Sequence, residues 1–124
     1  LNHSFSVRCF QQLVAQFGRI YLYGAGRIGQ RVWTCLKLMD AADKVKGFIV
    51  SEAEKNPEQL DGKHVFVFPE IQKQIVEDAL VIVAVHSRHH YEIALKLQTG
   101  GCKNILLIDE KIKSWIYENT DAAV

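Results

Sequence analysis

Apolar and polar positions along this chain fall into two alternating rhythms. Five short runs, Arg19–Tyr23, Lys44–Val50, His64–Phe68, Ala79–Val85 and Asn104–Ile108, are dominated by aliphatic and aromatic residues and predict strands. The run Ala79–Val85 carries no charge, as expected of a strand covered on both faces. Between these runs the apolar residues recur at helical spacing. Ile28, Val32, Cys35, Leu36 and Met39 predict a helix over 27–39. Phe5, Cys9, Leu13 and Phe17, four apart each time, predict an N-terminal helix within 1–18, capped by Ser4 and stopped by Gly18. Pro69 suits the first position of a helix through Glu77, with Ile71, Ile75 and Val76 facing inward. A further helix is expected over 88–99, with Tyr91, Ala94, Leu95 and Gln98 on one side and Gly100-Gly101 ending it. Ile112, Trp115 and Ile116 mark a closing helix over 111–117, followed by a frayed tail at 118–124. The polar stretch 51–63, with Pro57 and Asp61-Gly62, predicts a loop long enough to be functional.

Strands alternating with helices predict an α/β fold, a Rossmann-like α/β/α sandwich of three layers around a parallel sheet. Right-handed crossovers give the strand order 3-2-1-4-5. In such a sheet the ligand crevice lies beyond the carboxyl ends of the first and fourth strands, where the order reverses. The first strand runs straight into Gly24-Ala25-Gly26-Arg27-Ile28-Gly29, which opens a helix. Strand, glycine turn and helix in that order form the opening unit of a dinucleotide-binding fold. Gly24 allows the tight turn, Gly26 lets backbone amides approach a diphosphate, and Gly29 lets the helix pack close to the sheet. The amides and the positive end of the helix dipole then form an anion site.

Composition narrows the function. A chain of 124 residues is one domain, 1–124. Fifteen basic against fourteen acidic residues leave a net charge of +1, which carries no footprint for nucleic acid or for an anionic membrane surface. No apolar run approaches a membrane span and the first residues are not a signal peptide, so a cytoplasmic location is expected. Cys9, Cys35 and Cys102 are isolated and predict free thiols. The chain begins at Leu1 and its sole methionine is Met39, which reads as a segment of a longer polypeptide with further domains.

Other candidate residues surround the glycine turn. Glu52 lies 23 positions beyond Gly29, close to the spacing at which an acidic residue meets the ribose of NAD. Ser51 stands beside it at the strand end. Arg27 and Arg31 are placed to meet a phosphate or stack on a base. His86-Ser87-Arg88-His89-His90 follows the fourth strand, with His86 and Ser87 on the crevice floor and Ser87 capping the next helix. The spacing of His86, His89 and His90 raises a metal site, but no carboxylate or cysteine completes a ligand set, and no metal is expected. There is no GxSxG elbow, no phosphate-binding GxxxxGK[ST] loop and no cysteine beside a histidine, so no catalytic residue is assigned. Trp33 and Trp115 are expected to pack.

The runs Ile20–Arg31, Val45–Val50 and Gly62-Lys63-His64-Val65 resemble the nucleotide-binding domains of bacterial polysaccharide-biosynthesis proteins. These are the N-terminal domains of sugar acetyltransferases and the domains fused to glycosyltransferases and methyltransferases. The resemblance implies a domain holding a nucleotide-sugar within a larger transferase, without catalysis of its own. The alternatives are an NAD(P)-binding domain of an oxidoreductase or epimerase, and a ligand-free domain used for homo-oligomerisation. The group often carries an aspartate directly after the second strand. This chain has Ser51 there, which leaves Glu52 as a displaced substitute.

Overall fold

The computed structural model describes residues 4–52, 56–74 and 78–123. In chain order the elements are α1 (Phe5–Gln16), β1 (Ile20–Tyr23), α2 (Arg27–Leu38), β2 (Val45–Val50), β3 (Gln59–Leu60) and β4 (Lys63–Val67). They continue with α3 (Phe68–Ile71), β5 (Leu80–Val83), α4 (His90–Thr99), β6 (Asn104–Leu107) and α5 (Glu110–Thr120). The sheet order is β3-β4-β2-β1-β5-β6. All pairings are parallel except β3 with β4. The expected five-strand order is therefore present, with β3 added at one edge.

Alternation along the central strands sorts side chains into two cores. Ile20, Leu22, Phe48, Val50, Leu80 and Ile82 face α1, α2 and α5. Tyr21, Tyr23, Ile49, Val81 and Val83 face α3 and α4. Because β1 and β5 are buried at every position, they tolerate apolar residues throughout, as covered parallel strands do. Shortening Leu22, which is wholly buried, to alanine would cost about 2–5 kcal/mol.

The structure departs from several of the expectations above. The segment 51–63 is not all loop: Gln59↔His64 and Leu60↔Lys63 pair antiparallel around Asp61-Gly62. Both turn residues have positive φ, 49° and 81°, the conformation a two-residue type I′ turn demands and Asp-Gly supplies. The Asp61 carboxylate accepts from Trp33 Nε1 and Lys37 Nζ, each at 2.8 Å, which ties the hairpin to α2.

Two helices bury different faces from those expected. In α1 the buried residues are Val7, Phe10 and Val14, while Phe5 is 74% exposed. A strict four-residue spacing drifts by about 40° per step around a helix of 3.6 residues per turn, so Phe5 and Phe17 cannot share one flat face. In α4 the inward pair is Ile93 and Leu97, and Tyr91 and Leu95 are exposed. Both pairs have helical spacing, and the sheet selects between them.

Where the sequence predicts fraying, residues 119–123 continue the helical path of α5. The Thr120 side chain is wholly buried and donates to the Ile116 carbonyl at 2.7 Å, and Asp121–Ala123 form a 3₁₀ turn. On the other face, the helix expected over 69–77 is α3 followed by a 3₁₀ turn at Gln72–Gln74. Ile75 and Val76 lie outside the described residues.

Candidate functional site

The glycine turn is held between the carboxyl ends of β2 and β5. Gly24 donates to the Ile49 carbonyl at 2.9 Å, and Ala84 donates to the Tyr23 carbonyl at 2.8 Å. Gly24 has φ +123°, and a Cβ there would stand 2.5 Å from the Ala84 carbonyl oxygen. A Cβ at Gly29 would collide with the carbonyl of Gly24. These two glycines are demanded by the turn and by the close helix, independently of any ligand. Gly26 is different: a Cβ there would meet nothing within 4 Å, and its φ is an ordinary −89°.

Gly26 is the N-cap of α2, and no side chain caps it. The Gln30 side chain instead donates to the Ala25 carbonyl at 3.0 Å, bracing the turn. On the same face of the sheet, side chains take up a first-turn amide in α1 and α5: Ser4 accepts from Val7 N at 3.2 Å, and Asp109 from Ile112 N at 2.8 Å, whereas α3 and α4, like α2, start without a side-chain cap. The first turn of α2 contains no acidic residue and begins with exposed Arg27. A cation at the positive end of a helix dipole is unfavourable by itself and becomes favourable when an anion lies there.

A cleft of about 300 Å³ opens at this helix start, lined by Gly24, Ala25, Gly26, Arg27 and Ile28 together with Ala84, Val85 and His86. It thus unites all but one residue of the glycine motif with His86. Gly29 lies buried beneath the turn. Ser87 is exposed and does not line the cleft. It is also not the cap expected: the His86 imidazole Nδ1 accepts from Arg88 N at 3.1 Å and opens a 3₁₀ turn, Ser87–His89, ahead of α4.

The three histidines separate rather than converge. His89 lies against Arg88 and Glu92, and His90 bonds the Val85 carbonyl at 3.0 Å. Among the described residues no group of three His, Cys, Asp or Glu side chains could hold a metal ion. The thiols are free. Burial pushes Cys35 up to about 11 and raises Cys102, which keeps both protonated and unreactive near neutrality.

Arg31 turns away from the cleft. Its guanidinium stacks 4.3 Å from the Tyr117 ring centroid and pairs with Asp121 at 2.9 Å, joining α2 to the end of α5. Trp33 and Trp115 pack edge-on against Phe48 and Phe10.

At the end of β2, Ser51 and Glu52 are both exposed. The Glu52 carbonyl accepts from Asn56 Nδ2 at 2.9 Å. The Ser51 hydroxyl lies 2.6 Å from the phenolic oxygen of Tyr23, and Lys96 of α4 donates to Ser51 at 3.1 Å. Sequence reading passed over Lys96, 45 positions from Ser51, because no local pattern signals a partner delivered by a crossover helix. Ala84 and Val85 were hidden for the opposite reason, since they read only as strand.

Neither family models nor curated proteins give a match to the chain. Solved structures do. The crystal structure of RSP, a Rex-family repressor, aligns over 94% of this chain and 68% of its own, with TM-score 0.60 and 11% identity. The crystal structure of RSP in complex with β-NADH aligns over 94% and 67%, with TM-score 0.58 and 12% identity. At such identities the likeness establishes the Rossmann-like fold. The resemblance to polysaccharide-biosynthesis proteins finds no support in these neighbours, which are repressor structures.

Proposed function

We propose that this chain is a dinucleotide-binding domain of the NAD(P) type, seating the ligand's diphosphate at the first turn of α2. The observation that carries this reading is Gly26. The protein's own packing requires Gly24 and Gly29, but nothing in it requires a glycine at 26. A missing side chain at an uncapped helix start is what a closely approaching diphosphate needs. The cleft between Gly24–Ile28 and Ala84–His86 supports the same placement, as does the Rossmann-like neighbour whose structure was determined with β-NADH. Arg27 adds positive charge at the rim. The residues that would hold the dinucleotide are Gly24, Ala25, Gly26, Arg27 and Ile28 at the diphosphate, Gly29 beneath them, Ser51 and Glu52 toward the adenosine ribose, and His86 toward the distal half.

Thermal unfolding in the presence of NADH, NADPH, UDP-glucose and coenzyme A tests the reading. A ligand present at about 100 times its dissociation constant stabilises by about 2.7 kcal/mol. Either reduced dinucleotide is expected to raise Tm, and Gly26→Val to abolish that rise while lowering the unliganded Tm by the roughly 1 kcal/mol or less that a poorer N-cap costs. A rise with UDP-glucose alone would restore the nucleotide-sugar alternative. No rise with any of the four would favour the ligand-free domain.

A further inference from the structure

The end of β2 holds a cluster whose charge has the opposite sign from that expected of an NAD site. The residue directly after β2 is Ser51, a neutral side chain, and not a carboxylate. Its hydroxyl is engaged from two further elements. The phenolic oxygen of Tyr23, the last residue of β1, lies 2.6 Å away, and the ammonium of Lys96 on α4 donates to it at 3.1 Å. Lys96 also reaches the Tyr23 oxygen at 3.4 Å. Tyr23 immediately precedes the glycine turn, and Ile49, two residues before Ser51, accepts the Gly24 amide. The cluster therefore borders the point where the diphosphate is seated in the reading above.

A carboxylate at this position accepts hydrogen bonds from a ribose 2′-hydroxyl and repels a 2′-phosphate, whereas a nearby cation accommodates the phosphate. An ammonium and two hydroxyls make a donor set suited to a dianion. Lys96 is exposed and also lines a hollow of about 400 Å³ against Phe68 and Leu95, so its ammonium is reachable from solvent. Glu52, exposed one position further on, is the carboxylate that opposes a 2′-phosphate here, and it stands beside the hydrogen-bonded cluster of Tyr23, Ser51 and Lys96. Glu92, one turn before Lys96 on α4, lines the same hollow and lies 3.9 Å from His89.

We infer that Tyr23, Ser51 and Lys96 form a 2′-phosphate subsite, which makes the domain selective for NADP(H) over NAD(H). The inference rests on the dinucleotide reading and names its ligand more closely. Recognition of a phosphate dianion by an ammonium and hydroxyls uses charge-assisted hydrogen bonds, and their loss corresponds to about tenfold or more in affinity. Calorimetric titration with NADPH and NADH is the test. NADPH is expected to bind at least about tenfold more tightly than NADH. Lys96→Met should bring that ratio close to one, and Ser51→Asp, which restores a carboxylate after β2, should reverse it. Circular dichroism of both variants checks that these exposed substitutions leave the fold intact. NADH binding as tightly as NADPH, or a ratio unmoved in Lys96→Met, overturns the inference and leaves the dinucleotide reading standing. Binding of neither nucleotide overturns both.

Discussion

The starts of α2 and α5 lie in one layer of the molecule and solve the same problem in opposite ways. α5 begins with Asp109, whose carboxylate takes the Ile112 amide, and continues with Glu110, so its positive end is answered from within the chain. α2 begins with Gly26 and Arg27, has no side-chain cap, and opens onto a cleft. The α5 start is complete as folded. The α2 start leaves main-chain donors and a positive field for something outside the protein to meet. A helix end kept incomplete in this way lowers stability by the absent cap, a cost that binding an anion would offset.

The largest effect should come from Gly29→Ala. At an ordinary helical position that change gains about 1 kcal/mol. Here the added Cβ runs into the Gly24 carbonyl, and overpacking of this kind should cost about 3 kcal/mol, read as a lower midpoint in urea unfolding. An unchanged midpoint would mean that α2 does not sit tight against the turn.

Next in size is Gly26→Asp, which transplants the α5 solution onto α2. The unliganded protein should gain a few tenths of a kcal/mol from the new cap. The stabilisation by dinucleotide, about 2.7 kcal/mol at 100 times its dissociation constant, should disappear. Thermal unfolding with and without NADPH reads both changes together, and a variant that is destabilised without ligand would contradict the open space around Gly26.

Asp109→Ala makes the converse test and should cost about 1 kcal/mol. Its pH dependence has a definite sign. Burial alone would raise the Asp109 carboxyl, but hydrogen bonds from the Ile112 amide, the Ser6 side chain and the Lys111 amide outweigh it and hold the group below its ordinary 3.8. The depressed value means that its stabilisation is complete above about pH 4 and is lost as pH falls through the folded value. The deficit of Asp109→Ala relative to the parent should therefore shrink in acid unfolding experiments below pH 4. A deficit that is constant down to pH 2 would show that the carboxylate is not the stabilising group.

The smallest change is expected from Arg27→Glu. An acid in the first turn of α2 should stabilise the unliganded protein by about 0.5 kcal/mol through the helix dipole, while weakening dinucleotide binding in titrations at low salt. Stronger binding by this variant would place the diphosphate away from Arg27.

Local chemistry was legible wherever neighbours in sequence are also neighbours in space. The glycine turn, the Ser4 cap, the five parallel strands and their order follow from spacing, glycine placement and crossover handedness. The Asp61-Gly62 hairpin is carried by a strong Asp-Gly turn signal, but the polar residues around it give its two short strands no apolar alternation. The faces of α1 and α4 were not legible. Periodicity says that a helix has an apolar side, but Val7, Phe10 and Val14 bury because the sheet and α5 supply the opposing surface, which no local window contains.

The sequence by itself determined the order of elements and the places where a side chain is forbidden, because hydrophobic alternation and glycine conformations act over a few residues. Only the tertiary structure decided which glycine of the Gly24–Gly29 turn has no packing reason to be one. It alone brought Tyr23, Ser51 and Lys96 within hydrogen-bonding distance. It alone turned Arg31 toward Asp121 rather than toward the cleft. These outcomes depend on groups separated by tens of residues, whose encounters are set by how the helices cover the sheet.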